Sequence, residues 1–548
     1  MRSFAYCTFL SRTVLALWFA AAAVSGGAQD VDEQIRMRVE ELAATGVLEA
    51  ADAPIAARQL IPRIYEARSF SPTWTSAEQI DGLLQVIGDS FLEGLDPRDY
   101  HAEQVRAARA AFVDPAALSP ADRASYDIML TDSVIRLGYH LRFGKVDPVA
   151  LDANWNGSRD LGEHDPAKTI QAAIDSPSLR EFAAAAIPRA FLYDRFKTAL
   201  AEYRTIAAAG GWPTVPAGAT LKAGMTDGRV PVLARRLTVT RDFNPGSATS
   251  DTTLYDGELV AAVQRFQQRH GLAADGSLGP ATLEAMNVTA EQRVEQIRAN
   301  LERARWVLYD PASEFIVVNI AGFRAYLVRG DEVVWRSKVQ VGRPYTQTPV
   351  FAAKMTYLVF NPTWTVPPGI LRKETLPAIR RDPGYLAARN MDMFDPAGNV
   401  VDAATVDWAT VRGTGFRVVQ RPGPSNALGR MKFMFPNEHL VYLHDTPSRD
   451  LFERDSRAFS HGCIRVEDVY GLALQLLGSR WDRERTDKLI ATGKSETVIL
   501  DKPVPVMLLY WTTEIDAAGR VSFFPDVYSR DAAVIAALAQ PFKPTERL

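Results

Sequence analysis

The hydrophobic pattern changes period at Glu314, and that change splits the 548-residue chain into two kinds of structure. Before it, apolar residues recur at helical spacing over 31–47, 77–87 and 122–143, and alanine runs such as 183–186 add helix propensity. After it come short β-rich runs at 315–320, 325–328, 333–335, 339–341, 357–360 and 440–443. Turn signals such as Arg329-Gly330-Asp331 separate them, and 503–516 and 521–524 read as two more strands joined through Ala518-Gly519. A polar, Pro-rich stretch at about 371–412 interrupts this pattern and reads as an insertion between strands, a lid over a site.

A chain of this length holds about three or four domains. The expected fold is multidomain α+β. Residues 29–228 form a mainly helical scaffold domain, ended by the Pro/Gly cluster at 210–218. Residues 230–290 form a small helical module, 291–311 a connecting helix, 312–530 a sheet-built domain and 531–548 a C-terminal tail. In the module, Leu259, Val263 and Phe266 share one helical face, and Gly271 stands where that helix should stop. Asp275-Gly276 is a turn, and Gly279-Pro280 opens a second helix with proline in its tolerated first turn.

Residues 1–28 have the layout of a secretory signal. Arg2 and Arg12 are the only charges before Asp30, 13–24 is mostly apolar, and Gly26-Gly27-Ala28 offers small residues for cleavage. The apolar run falls short of the about 20 residues a membrane span needs; a retained amino-terminal anchor is the other reading. Cleavage after Ala28 would remove Cys7 and leave Cys463 as the one thiol, in an oxidising compartment.

The formal charge is −3, so no global basic excess calls for a nucleic-acid partner. There is no His-Glu-x-x-His string or paired-cysteine ligand set, and no metal or cofactor is expected. His101, His140 and His164 read as structural or solvated.

The chemistry gathers at Cys463. Ser460-His461-Gly462-Cys463-Ile464-Arg465-Val466 leads into an expected helix at 467–477, which would set Cys463 just before a helix amino terminus. The helix dipole and Arg465 would then favour thiolate over thiol. Gly462 permits a tight turn, whose backbone N–H groups can face a developing oxyanion. His444, at the end of an apolar run and before Asp445-Thr446-Pro447, can accept the thiol proton. His461 is the rival base, and spacing alone does not choose between them.

His444, fifteen intervening residues, then Ser460-His461-Gly462-Cys463 resembles the signature of the YkuD-type L,D-transpeptidases. Asn361-Pro362-Thr363-Trp364-Thr365-Val366-Pro367-Pro368 and Leu443-His444-Asp445-Thr446-Pro447 agree with it. Ala262-Val263-Gln264-Arg265-Phe266-Gln267, His270-Gly271-Leu272, Asp275-Gly276 and Gly279-Pro280-Ala281-Thr282 resemble the small helical peptidoglycan-binding domain. The whole looks like the large periplasmic YcbB-like branch, with a capping insertion in its β-rich catalytic domain.

The resemblance implies Cys463 as nucleophile, His444 as general base and the Asp445 backbone carbonyl as its orienter. It implies Gly462 and Cys463 N–H groups in an oxyanion hole, with Ser460, His461 and Arg465 in support; Arg465 would steady the loop rather than bind a substrate carboxylate. Some YcbB-like members carry serine where His461 stands, which speaks against His461 as an indispensable base. A tyrosine that assists the oxyanion hole in some relatives has no counterpart placed from this sequence. The implied reaction cross-links third-position residues of peptidoglycan stem tetrapeptides through a cysteinyl thioester, in the periplasm, beside cell-wall synthesis or envelope proteins. An L,D-carboxypeptidase, a protein-to-wall attachment enzyme and a non-catalytic wall-binding protein are the alternatives. A serine hydrolase is disfavoured, because no Gly-x-Ser-x-Gly context surrounds Ser460.

Overall fold

The structure, a computed structural model, describes residues 30–542 apart from 158, 160–163, 177, 245–252, 310, 383 and 408–414. The expected signal, with Cys7, lies outside the described residues. Among these residues no helix is long and apolar enough to cross a membrane.

The amino-terminal region is helical, with one short hairpin of β1 (Glu49–Ala50) and β2 (Ala53–Pro54). Its first helix runs 30–45 and stops at Gly46, which takes a φ of 67°. The helix expected at 77–87 spans Ala77–Asp89, started by a capping box between Ser76 and Gln79. At the centre lies Pro120–Phe143, buried on nearly every side. Its buried carboxylates are therefore matched: Asp127 accepts from the Tyr65 hydroxyl and the Thr73 and Trp74 N–H groups, and Asp132 meets Arg136 and His101. His140 packs against Tyr100.

The small module holds three helices, Val230–Val239, Gly257–Arg269 and Pro280–Asn287, around Leu259, Val263 and Phe266. The Gln267 side chain accepts from Gly276 N–H and donates to Asp275, which fixes the turn between the last two helices.

The expected connector is the helix Ala290–Arg305, and it is more than a connector. Val294, Ile297, Leu301 and Ala304 pack between the helix Phe191–Ala208 and the outer face of the sheet. Glu302 accepts from Val146 N–H at 2.7 Å on the scaffold side. Asn300 exchanges two hydrogen bonds with Thr512, at 2.8 and 2.9 Å, on the sheet side. The segment read as a C-terminal tail carries a helix, Asp531–Ala539, because Val534 and Leu538 find apolar cover against Val146 and Ala299. Asp531 ties it to Arg303 at 2.5 Å.

From Glu314 the chain builds a nine-stranded sheet. Its strands are β3 (Glu314–Asn319), β4 (Arg324–Arg329), β5 (Glu332–Gly342), β6 (Phe351–Phe360), β11 (Met431–Met434), β12 (Leu443–His444), β13 (Ala458–Ser460), β14 (Ile464–Val466) and β15 (Glu496–Leu509). The order is β13-β5-β14-β12-β11-β6-β15-β3-β4, and β4 also pairs with β5, which closes the sheet on itself. The runs expected at 333–335 and 339–341 are one strand, because Arg336-Ser337-Lys338 continues the in–out alternation. Residue 503 belongs to the long β15, and the hairpin through Ala518-Gly519 joins β16 (Thr513–Ile515) to β17 (Val521–Phe523).

The insertion is a folded unit rather than a polar loop. Strands β7 (Trp364–Thr365), β8 (Met391–Phe394), β9 (Val400–Val401) and β10 (Arg417–Gln420) form a sheet of order β7-β10-β8-β9. Short helical segments from Pro368 to Arg381 and Tyr385–Ala388 pack on it around Val366, Leu371, Ile379 and Val418. It therefore extends beyond 371–412 on both sides.

Candidate active site

Strand register gathers the sequence-derived residues. Parallel pairing of β12 with β14 sets Leu443 opposite Ile464 and His444 opposite Arg465. Antiparallel pairing of β12 with β11 sets Lys432 opposite His444. Residues across a ladder share a face, and so do residues two apart on one strand. Lys432, Tyr442, His444, Cys463 and Arg465 thus come to one face, while Phe433, Leu443 and Ile464 fill the core behind it.

Cys463 is partly open to solvent. The hydroxyl and backbone N–H of Tyr442 are near enough to the sulfur to favour its ionised form, and the Leu440 carbonyl oxygen lies 3.7 Å from Sγ. Cys463 does not stand before a helix. The three-residue strand β14 follows it, and the helix Val469–Leu477 begins only after Asp468, its N-cap. No helix dipole therefore favours a resting thiolate at Cys463. Burial raises the thiol above its ordinary value, against the lowering influence of Tyr442, Lys432 and Arg465.

His444 is 4% exposed, and its Nδ1 lies 2.5 Å from the Asp445 carbonyl oxygen. A carbonyl only accepts, so Nδ1 carries the proton and Nε2 keeps its lone pair. Burial, then the charge of Arg465, holds the imidazole down to about 3, although the Asp445 carbonyl pulls the other way. The pair at rest is a neutral imidazole and a neutral thiol.

The Asp445 carboxylate faces backward, accepting from Arg430 N–H at 2.9 Å and Arg449 at 3.1 Å. A Cβ on Gly429 would strike that carboxylate, so glycine is required there.

The loop before Cys463 is braced. Gly462 has a φ of 120°, which a side chain would strain, and its carbonyl accepts from Thr348 Oγ1 at 2.8 Å. Tyr528 holds the loop carrying Thr348, accepting from Thr348 N–H at 3.2 Å and donating to the Gly342 carbonyl at 2.6 Å. Ser460 Oγ donates to the Cys463 carbonyl at 2.6 Å and accepts from Gly462 N–H at 3.1 Å. That N–H is thus engaged. Among the described residues the Cys463 N–H has no hydrogen-bond acceptor. His461 turns to the insertion, donating from Nε2 to Glu374 at 2.6 Å. Arg465 donates to Gln340 at 3.1 Å, and its buried Nε has no acceptor among the described residues.

Sequence reasoning passed over Tyr442, Lys432, Thr348 and Glu374. Tyr442 was within reach, because two-residue alternation along 440–444 sets it on the His444 side. The others arrive through strand pairing and the insertion, with no signal near Cys463 in the chain.

Residues 313–499 match the family described as the L,D-transpeptidase catalytic domain, YkuD. Residues 231–286 match a family described as "Putative peptidoglycan binding domain", and 59–200 match one described as a scaffold domain. A curated relative from Haemophilus influenzae, named "Putative L,D-transpeptidase", is 37% identical over 221 residues, 40% of this chain. The match spans 45% of that relative's length. Two solved structures of L,D-transpeptidases also match. The one from Xylanimonas cellulosilytica is 15% identical with a TM-score of 0.18, covering 54% of this chain and 99% of that one. The one from Stackebrandtia nassauensis is 14% identical with a TM-score of 0.22, covering 54% and 96%.

Proposed function

We propose, for a chain that carries an L,D-transpeptidase catalytic domain of the YkuD type beside a peptidoglycan-binding domain, that Cys463 is the nucleophile of a two-step acyl transfer between peptidoglycan stem peptides. The observation that carries this reading is the shared sheet face on which Cys463, Tyr442 and a neutral His444 with a free Nε2 come together.

As the sulfur attacks the carbonyl between the third residue and the terminal D-Ala of a stem tetrapeptide, Nε2 takes the thiol proton. A C–S bond forms. The Cys463 N–H and Tyr442 hydroxyl are the donors for the developing oxyanion. The C–N bond to D-Ala then breaks, and the imidazolium returns its proton to the departing amine. In the second step the side-chain amine of a neighbouring stem attacks the thioester, the C–S bond breaks, and the proton passes through His444 back to sulfur. The product joins two third-position residues. At neutral pH the buried imidazole is unprotonated, so its Nε2 lone pair is available to the thiol proton as the C–S bond forms. Asp445 orients the imidazole through its carbonyl; Ser460, Gly462 and Arg465 support the loop. The export-like leader and the peptidoglycan-directed domains support a periplasmic location.

Incubation of the enzyme with purified tetrapeptide stems, followed by mass analysis, tests the reading. A cross-linked dimer lacking one D-Ala is expected, with none from Cys463→Ala. Tripeptide alone would replace the transpeptidase by a carboxypeptidase, and dimer from Cys463→Ala would remove the cysteine mechanism.

A further inference from the structure

Lys432 has no place in the mechanism above, yet it sits at the centre of the site. It lies opposite His444 in the β11–β12 ladder, and its Nζ is 3.9 Å from the centroid of the Tyr442 ring. It is partly buried, and among the described residues no carboxylate or other acceptor pairs with it. An ammonium withdrawn from water without a counter-ion is costly. Here the compensation is an aromatic face and, beyond it, a sulfur that turns negative only when it reacts.

We propose that Lys432 is a positioning residue for the acyl transfer: its ammonium, held on the ring of Tyr442, fixes the tyrosine hydroxyl at Cys463 and supplies the positive charge that stabilises the sulfur as it becomes thiolate. This deepens the proposed function, on which its kinetic test rests, while its chemical test does not depend on any substrate.

The other groups facing the sulfur do not fill this role. His444 is neutral at rest. Arg465 keeps its charge beside the neutral Gln340 amide but has the smaller influence on the sulfur, and Arg343 donates to the Tyr345 hydroxyl at 3.1 Å. His461 is paired with Glu374. Burial lowers Lys432, and Cys463 is the group that opposes this; among the cations acting on Cys463, Lys432 has the larger influence and Arg465 the smaller. Arginine at 432 would keep a charge and a stacking plane over the ring; methionine would keep the length and lose both.

The test is the rate of Cys463 alkylation by iodoacetamide in the full chain, read by peptide mass across about pH 6 to 11. For Lys432→Met the midpoint should move up by about one pH unit or more, the size of shift a nearby opposite charge produces. Lys432→Arg should stay near the parent. Tyr442→Phe keeps the ring under the ammonium but removes the hydroxyl, and should shift the midpoint upward as well. On tetrapeptide stems Lys432→Met should lower kcat at least about tenfold with KM little changed, rescued by Lys432→Arg. An unmoved midpoint in Lys432→Met, or an equal shift in Lys432→Arg, overturns the proposal. If Lys432→Met fails to fold, Lys432→Gln and Lys432→Arg carry the same comparison. If no variant turns over stems, the alkylation profiles still decide the role of Lys432, and the loss falls on the proposed reaction.

Discussion

His461 Nε2 lies 2.6 Å from Glu374 Oε1, so a residue two positions from Cys463 is tied to the insertion. Both side chains are substantially exposed, and a pair of this kind is worth at most about 1 kcal/mol, a factor of about five in an opening equilibrium. Glu374→Gln should therefore speed alkylation of Cys463 at neutral pH a few-fold, with the melting temperature unchanged. His461→Ala should do the same and keep substantial turnover. Unchanged alkylation in both would mean that the contact does not restrain the insertion.

Acid should weaken the fold through His444. Its imidazole is held down to about 3 in the folded chain by burial, against about 6.5 when unfolded. Below about pH 6.5 the unfolded chain takes up a proton that the folded chain refuses. The stability present above that value is lost as pH falls toward 3, by up to about 1.4 kcal/mol per unit. Between pH 7 and 5, urea melts of the parent should lose about 2 kcal/mol more than those of His444→Gln. Parallel losses would show that His444 charges freely in the folded state.

An attacked carbonyl and a strained β-lactam ring present the same electrophile to sulfur. The family resemblance points to carbapenems, with most penicillins reacting poorly. Incubation should add one carbapenem-sized mass at Cys463, absent from Cys463→Ala. Persistence of the adduct in that variant would move the site elsewhere.

Asn300 offers a stability test far from the chemistry. It is fully buried, and Asn300→Ala would leave Thr512 N–H without its acceptor. A loss of about 2 kcal/mol or more is expected in denaturant melts, since a stranded buried donor costs its full desolvation. A change below about 0.5 kcal/mol would mean that water replaces the side chain there.

The switch of period at Glu314 was legible because β-branched and aromatic residues crowd the strands while alanine and charge pairs fill the helices before them. The segment after Cys463 was misread for a local reason. Ile464-Arg465-Val466 is too short a strand to stand apart from the apolar helix that follows, and only Asp468, as N-cap, marks the true start. The insertion looked polar because Val366, Leu371, Ile379 and Val418 are spread over more than fifty residues and meet only in the fold. His444 and Cys463 could be picked out by residue type and spacing. Lys432 could not, since its relation to them is a register between strands and leaves no trace in chain order.

The helix Ala290–Arg305 has a further consequence. A wall-binding module on a loose tether would let its enzyme graze within a sphere set by the tether's length. Here the segment leaving the module is locked at once into scaffold, sheet and C-terminal helix, through Glu302, Asn300 and Arg303. The module is thereby joined to the sheet through packed side chains. The spacing between the module and the sheet face that carries Cys463 is built into the body of the protein, and changing it would take a new packing arrangement rather than a longer linker.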